Sequence, residues 1–489
     1  MKTRTEIIFR ADGNSQIGLG HVMRALALAE MLQADFDLTF AIKEPTAALE
    51  EQLKTVCQKV IKLPETALLA EAETFAQTLT GNEILVLDGY QFTSEYQQIL
   101  KQKGNVLVFI DDLHDRQIPA DVILNSAGGL TPDLYQAAPY TRFCLGPDFA
   151  LLRKPFREVQ KPVWERDNKL QKLLICFGGA DPENFTLAYA RQLADQNTGF
   201  ELEIVTGSAY RYQAELREFL KGKRYANWHQ NLSAAELAHL MQQCAVALCS
   251  ASVISYEYCA VNGMLFVLKT AGNQADLYRF LLAAGLAIPA EDLVKTLALE
   301  NVAEESRQLQ QNQREYFQGQ AEDYLRKLFN QLSLQAQLIF RKFTLADAEL
   351  LYNWANDPMV RQFSFNPAPI PYETHLNWVQ NKLQNPAALL LMAEIQGEPA
   401  AHLRFDRSGN TALISYQIGA AFRGKGLGHR VLQIGLLQLK HYFPEVTEAI
   451  GFVQPENIAS VRAFEKAEFE NMGTGDAMQP DAYKFRKDL

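Results

Sequence analysis

Short, mostly apolar runs recur along the first part of the chain, at residues 7–9, 38–42, 84–87, 106–110 and 122–124, with helix-forming stretches between them. Runs of this kind are strands buried on both faces, and strands alternating with helices give a parallel sheet covered on both sides. The same pattern returns at 173–177, 201–206, 245–249 and 265–268. Between the two series, residues 147–167 are rich in proline and charge, lack any period, and read as a crossover between lobes. From 302 to 337 the pattern is helical: glutamines crowd one side, while Tyr324, Leu325, Leu328 and Phe329 share one face. This predicts a helix closing the two-lobed unit and a boundary near 332–337.

The pattern then changes. A strand is predicted over 338–343, followed by a capped helix carrying Leu350, Leu351 and Trp354 that stops at Asn356-Asp357-Pro358. Two alternating runs, 389–395 and 400–405, meet at the turn Gln396-Gly397-Glu398-Pro399. A strand over 411–418, a glycine-rich loop with its helix, a strand over 449–453 and a helix over 460–466 complete the series. The predicted architecture is α/β: Rossmann-type lobes over 1–153 and 168–332, then an α+β domain over 336–489.

Composition narrows the classes. A chain of 489 residues exceeds one core. The net charge of −10 argues against a nucleic-acid surface. No apolar run approaches the roughly 18 residues of a membrane span, and Met1 to Glu6 lead directly into a strand without an export signal. Cys57, Cys144, Cys176, Cys244, Cys249 and Cys259 are scattered through mostly apolar runs, none at metal-ligand spacing. They read as small buried groups in a reducing cytoplasm, and no metal is expected.

In open parallel sheets ligands bind beyond the carboxyl ends of the strands, and polar residues gather there. Asp12 follows the first strand. After the loop Gly13-Asn14-Ser15-Gln16, the stretch Gly18-Leu19-Gly20-His21-Val22-Met23-Arg24 opens a helix. Free N–H groups and the helix dipole favour an anion at such a start. His21, near Arg24, is positioned to accept a proton beside it. Asp88-Gly89-Tyr90 follows the third strand, Asp111-Asp112-Leu113-His114 the fourth, and Asn125 the fifth. Each alone would serve as a turn or cap. Together they would border one crevice with His21, where the Tyr90 phenol would orient a sugar or a water.

The second lobe repeats the device. Gly178-Gly179-Ala180-Asp181-Pro182 leads to a helix opened by Asn184-Phe185-Thr186; Ser250-Ala251-Ser252 leads to Ser255-Tyr256-Glu257; and Asn273-Gln274 opens another helix. Small hydroxyl residues at a helix start suit phosphate oxygens, and a glutamate one turn in suits a ribose diol, although each piece alone also reads as a cap. With Arg10-Ala11-Asp12, residues 17–24, Asp88-Gly89-Tyr90 and residues 110–116, these motifs make residues 1–330 resemble the UDP-2,4-diacetamido-2,4,6-trideoxy-β-L-altropyranose hydrolases of pseudaminic acid biosynthesis. The resemblance implies a GT-B-type fold, His21 as catalytic base, Tyr90 beside the sugar, and UDP in the second lobe. It implies substrate contacts at Asp12, Gly20, Arg24, Gly178, Gly179, Ser252, Glu257, Asn273 and Gln274. Ser252-Val253-Ile254 departs from the pattern, because relatives carry smaller, hydroxylated residues there.

In the third region a strand runs into Arg423-Gly424-Lys425-Gly426-Leu427-Gly428 at a helix start. Glycines that turn N–H groups toward phosphates, with adjacent cations, make a pyrophosphate cradle; the loop is neither a Walker loop nor a dinucleotide fingerprint. Pro455-Glu456-Asn457 and a final helix follow. Residues 336–489 resemble the GNAT N-acetyltransferase family. This implies acetyl-CoA as cosubstrate, its pyrophosphate on Arg423, Gly424, Lys425, Gly426 and Gly428, its pantetheine along the strand bearing Tyr416 and Ile418, and Asn457 at its border. The family's proton-donating tyrosine is matched by Phe464, which has no proton to give, and Glu468 replaces a usual glycine. Tyr352, His402 and Tyr416 are the polar groups nearby. Residues 355–361 and 372–378 resemble substrate-side segments of amino-sugar acetyltransferases.

Together the resemblances imply consecutive reactions: N-acetylation of the 4-amine of a UDP-linked amino sugar, then inverting, metal-independent release of UDP. The expected partners are the UDP-amino-sugar and neighbouring pathway enzymes, with no nucleic acid and no membrane. The competing readings are a glycosyltransferase, a UDP-sugar epimerase, an acyltransferase of other specificity, or one domain acting only as a binding module.

Overall fold

A computed structural model describes residues 4–13, 18–159, 172–196 and 199–489. Residues 1–3, the loop residues Asn14, Ser15, Gln16 and Ile17, the crossover residues 160–167 and the predicted start of the second lobe at 168–171 lie outside the described set. The first unit runs β1 (Glu6–Ala11), α1 (Gly20–Leu32), β2 (Asp37–Lys43), α2 (Ala47–Lys54), β3 (Lys59–Leu63), α3 (Leu68–Thr78), β4 (Ile84–Asp88) and α4 (Ser94–Lys101). It continues with β5 (Val106–Ile110), β6 (Gln117–Ile118), β7 (Val122–Asn125), β8 (Gln136–Ala137), β9 (Arg142–Leu145) and α5 (Lys154–Arg157). β6 and β8 pair with each other; the other seven strands form one parallel sheet in the order β3-β2-β1-β4-β5-β7-β9. Its strands are apolar on both faces because both are covered. Ile7 and Phe9 pack with Val22, Leu26 and Leu28 of α1, while Ile8 packs on the other side with Phe75 and Leu85. The edge strands β3 and β9 escaped the sequence reading because each carries polar or half-exposed positions rather than an unbroken apolar run.

The second unit holds β10 (Lys172–Cys176), α6 (Phe185–Asp195), β11 (Glu201–Thr206), α7 (Gln213–Leu220), β12 (Ala226–Gln230), α8 (Ala234–Gln243) and β13 (Cys244–Ser250). Then come α9 (Val253–Val261), β14 (Met264–Leu268), α10 (Ala275–Ala283), β15 (Ile288–Pro289), α11 (Leu293–Leu297) and α12 (Val302–Tyr316). Its six strands are parallel in the order β12-β11-β10-β13-β14-β15. Strand order therefore reverses at β1/β4 in the first sheet and at β10/β13 in the second, and such a switch point opens a crevice at the carboxyl ends.

The helical run after residue 302 divides differently from expectation. α12 stays with the second unit, burying Val302 and Leu309. The next helix, α13 (Ala321–Ala336), is the one predicted to close the two-lobed unit, but it does not continue the second lobe to residue 332. Instead it crosses back and buries Leu325, Leu328, Phe329, Leu332 and Ala336 in the first unit's core. Its apolar face has i, i+3, i+4, i+7 spacing, which fits either lobe; the edge-to-face contact of Phe36 and Phe329, with ring centroids 6.3 Å apart, shows which one it meets.

The third unit begins directly after α13, without a spacer. It comprises β16 (Leu338–Lys342), α14 (Ala348–Ala355), α15 (Pro358–Gln362), α16 (Tyr372–Gln384), β17 (Ala388–Ile395), β18 (Glu398–Ser408) and β19 (Thr411–Ile418). α17 (Gly428–Tyr442), β20 (Glu448–Val453), α18 (Ile458–Lys466), β21 (Glu470–Asn471) and β22 (Tyr483–Asp488) follow. The sheet order is β16-β17-β18-β19-β20-β22-β21, antiparallel except where β19 runs parallel to β20. The run 389–395 was expected to alternate, yet it is almost wholly buried. Leu389 and Leu391 meet the α17 layer while Leu390 and Met392 meet Leu351 and Val379, so helices cover both faces. β19 and β20 pair only over Thr411–Ile414 and Glu448–Gly451, then diverge. No helix among the described residues is long and apolar enough to cross a membrane, and all six cysteines are buried and outside any disulfide.

Candidate active sites

The first site forms where β1 and β4 part. α1 starts at Gly20 with no side-chain cap and no acidic residue in its first turn, so His21 stands among unsatisfied N–H groups. His21 Nδ1 lies 2.7 Å from Oδ1 of Asp88, the last residue of β4. An ionised carboxylate only accepts hydrogen bonds, so Nδ1 carries the proton and Nε2 is left as the basic nitrogen. Asp88 is completely buried and also accepts from Arg24 Nε at 2.8 Å and Nη2 at 2.7 Å. Burial pushes the Asp88 carboxyl up, but Arg24 and His21 outweigh it and hold the group below the usual range. Arg24 Nη1 donates to Asp112 Oδ1 at 2.7 Å. Arg24, expected to touch substrate, is thus spent on two carboxylates behind His21.

Tyr90 meets the His21 ring edge-on at 4.6 Å. Its hydroxyl donates to Asp112 at 3.2 Å and accepts from Asn273 Nδ2 of the second unit at 2.5 Å. His114 and Asp276 make a second contact across the cleft, 3.0 Å apart. The two crevices therefore face each other with Asn273 directly opposite Tyr90. Asp12 is internally satisfied: Arg10 holds both its oxygens, and Lys43 N and Gln91 Nε2 add further bonds.

In the second unit Gly178 and Gly179 follow β10, and Ser252 precedes α9, on either side of the switch point. Ser252 does not cap α9; its Oγ pairs with Ser250 Oγ at 3.0 Å, leaving the first N–H groups of the helix without a side-chain partner. Asp181, by contrast, caps α6 through the N–H groups of Phe185 and Thr186. Glu257 is buried and held by both Nε and Nη2 of Arg153, at 2.6 and 2.7 Å. Burial raises its carboxyl, and Arg153 offsets only part of that. Gln274 turns to Thr270, whose N–H it accepts at 2.7 Å, and does not share Asn273's direction. The sequence placed Asp88 and Asp112 at this crevice without assigning either a role, and it gave no sign of Arg153. The aspartates carried a signal, an acid at the carboxyl end of a buried strand; Arg153, in aperiodic sequence, carried none.

The third site is a cleft of about 1390 Å³ at the divergence of β19 and β20. Beyond Ile414, β19 is unpaired on the β20 side as far as Ile418. Gly424 and Gly426 both have φ of +74°, a conformation that turns successive N–H groups to one side. Arg423 Nε donates to Ile418 O and Nη1 to Asp357, while its buried Nη2 has no hydrogen-bond partner. α17 then starts without a side-chain cap. An orphaned guanidinium nitrogen, a turned glycine loop and an open helix start fit a diphosphate. Lys425 lies exposed over the Phe422 ring. Gly428 has a packing role as well, since a Cβ there would come within 2.9 Å of Ala463. Asn457 caps α18 through Ser460 N.

Phe464 is buried against Phe469, Phe485 and Tyr416. The nearest hydroxyl in this packing is that of Tyr416, which bonds Ser460 Oγ at 3.2 Å and is pushed up to about 12 by burial. Glu468 has a φ of +63°, the conformation that favours glycine. His402 lines the same cleft, with Nε2 buried and unpartnered; burial, then the Arg404 charge, lowers it to about 3.

Residues 337–470 match the family model of the acetyltransferase (GNAT) domain. With the two doubly wound units before it, the chain is a fusion of a hydrolase-like unit and a GNAT acetyltransferase domain. The hydrolase-like part is similar to the UDP-2,4-diacetamido-2,4,6-trideoxy-β-L-altropyranose hydrolase of Campylobacter jejuni, with 24% identity over 287 residues, covering 58% of this chain and 98% of that protein. It is also similar to the spore coat polysaccharide biosynthesis protein SpsG of Bacillus subtilis, with 24% identity over 285 residues, covering 57% of this chain and 81% of that protein. An uncharacterised protein of Methanocaldococcus jannaschii aligns through all three units, at 22% identity over 96% of this chain and 98% of its own length. Among solved structures, an aminoglycoside acetyltransferase with coenzyme A and kanamycin is 23% identical, covering 31% of this chain and 94% of that one, at a TM-score of 0.28 that adds no weight.

Proposed function

We propose that the chain is a bifunctional enzyme of pseudaminic acid biosynthesis working in the cytoplasm. Its third unit acetylates the 4-amine of a UDP-linked 4-amino sugar. Its first two units release UDP from the resulting UDP-2,4-diacetamido-2,4,6-trideoxy-β-L-altropyranose by hydrolysis. One observation carries this reading: a hydrolase-like unit and a GNAT domain share a chain. A nucleotide sugar that must be N-acetylated before UDP leaves is a substrate that needs both.

In the hydrolase unit, His21 Nε2 takes a proton from water as its oxygen attacks the anomeric carbon on the face away from UDP. Asp88 keeps the ring in the required tautomer. Tyr90 and Asn273 border the sugar. The glycine turn at 178–179 and the open start of α9 receive the diphosphate, and their N–H groups stabilise the charge that builds as it departs. Glu257, steadied by Arg153, faces the nucleoside. The scheme as written uses no metal.

In the acetyltransferase unit, bound acetyl-CoA supplies an activated thioester. The 424–428 loop and Arg423 hold its diphosphate, and Tyr416, Ile418 and Asn457 border the remainder of the molecule. The unpaired edge of β19 offers N–H groups to its carbonyls. The test is mass spectrometry of products from the full chain with the UDP-4-amino sugar and acetyl-CoA. Free diacetamido sugar plus UDP is expected. Transfer of the sugar to an added acceptor, or no acetylation, would overturn the reading.

A further inference from the structure

The third unit rests on the amino ends of the first sheet. Buried Arg430 donates to the carbonyl of Gly104, just before β5. The His429 and Tyr140 rings stack 6.5 Å apart at 9°. Gln335 of α13 donates to the carbonyl of Gly426 at 3.4 Å, so α13 touches the cradle loop itself. The acetyltransferase cleft consequently has walls from two units: Arg142 and Gln331 of the first unit and its helix line it together with Lys425, Arg462 and Lys466 of the third.

These four cations have a common feature. None forms an ion pair with a carboxylate among the described residues, and all four are exposed. The side chain of Arg142, the first residue of β9, donates Nη1 to Gln331 Oε1 at 2.7 Å and also reaches the Cys144 thiol, contacts that steady it and leave further donors of its five available. Coenzyme A carries two separate anionic groups, the diphosphate and the ribose 3′-phosphate. The glycine loop, Arg423 and the α17 start account for one of them. The remaining anion needs cations outside the loop, and a guanidinium with open donors suits a phosphate.

We propose that Arg142 completes the coenzyme A site across the unit boundary by binding the 3′-phosphate, so that the hydrolase unit forms part of the acetyltransferase. This rests on reading the cleft as an acetyl-CoA site. The test is calorimetric titration of the full chain and of its Arg142→Gln and Arg142→Lys variants with coenzyme A and with 3′-dephospho-coenzyme A. Arg142→Gln is expected to weaken coenzyme A about tenfold, the loss of one charged hydrogen-bonded contact. It is expected to leave dephospho-coenzyme A unchanged, and Arg142→Lys to recover part of the loss. Equal binding of coenzyme A by wild type and Arg142→Gln, or an equal loss with both ligands, overturns the proposal. If the wild-type chain binds neither ligand, the cofactor reading itself fails and takes this proposal with it.

Discussion

Replacing Asp88 by asparagine tests whether His21 works alone or as half of a pair. Asparagine keeps the shape but presents one oxygen and one NH2 where Asp88 holds His21 and Arg24 on short bonds. If the oxygen stays with Arg24, the amide hydrogens face Nδ1 and push the ring proton to Nε2, which silences the base. If the amide turns over, its hydrogens oppose the guanidinium. General-base assistance is worth about 10²–10⁴ in rate, so Asp88→Asn should lower kcat for UDP release by that factor, with KM little changed. His21→Ala should lose as much. Because both act through one nitrogen, the double variant should fall no further than His21→Ala, whereas independent roles would multiply to about 10⁴–10⁸. The assay is UDP release from the diacetamido UDP-sugar by the full chain. Circular dichroism should accompany it, since breaking a buried pair costs about 3–5 kcal/mol. Near-normal turnover in Asp88→Asn, or a fully multiplicative double variant, would refute the reasoning.

Three further outcomes follow from the same geometry. Phe464→Tyr, which adds a hydroxyl at this position, should not raise acetyl transfer; it should cost about 1–3 kcal/mol, read by urea unfolding, because the new hydroxyl enters an aromatic cluster. His402 is lowered to about 3 from 6.5, so the folded state favours its neutral form; its contribution is complete above pH 6.5 and is lost as pH falls toward 3, at no more than about 1.4 kcal/mol per pH unit. His402→Phe should flatten that part of the urea-midpoint profile between pH 7 and 4. Finally, His21 lies beyond the carboxyl ends of the first sheet while the third unit rests on its amino ends, about one strand length or 17 Å away at least. Acetylated sugar should therefore pass through solvent, and unlabelled diacetamido UDP-sugar added to a labelled reaction should dilute the label in the free sugar completely. Retained label would show direct transfer.

Local pattern was enough for much of this protein. The strands β5 and β19 begin and end where their apolar or alternating runs do. The stretch at 18–24 and the loop at 423–428 announced helix starts, because glycine conformations and helix propensity act over a few residues. Burial on both faces of β17 was not legible, since it depends on which helices return to cover the sheet. Nor was the destination of α13, whose apolar face suits either core.

The partners of the charged groups were decided by tertiary structure alone. His21 finds Asp88 67 positions away, Arg153 finds Glu257 104 away, and Asn273 reaches Tyr90 across 183. Arg430 reaches Gly104 across 326, and with that contact the first unit becomes a wall of the third unit's cleft. A sequence states which residues can be charged and where a helix can start. Which carboxylate neutralises which guanidinium depends on strand order and on how separate sheets dock, and the energies that choose among those arrangements arise only when distant segments leave water together.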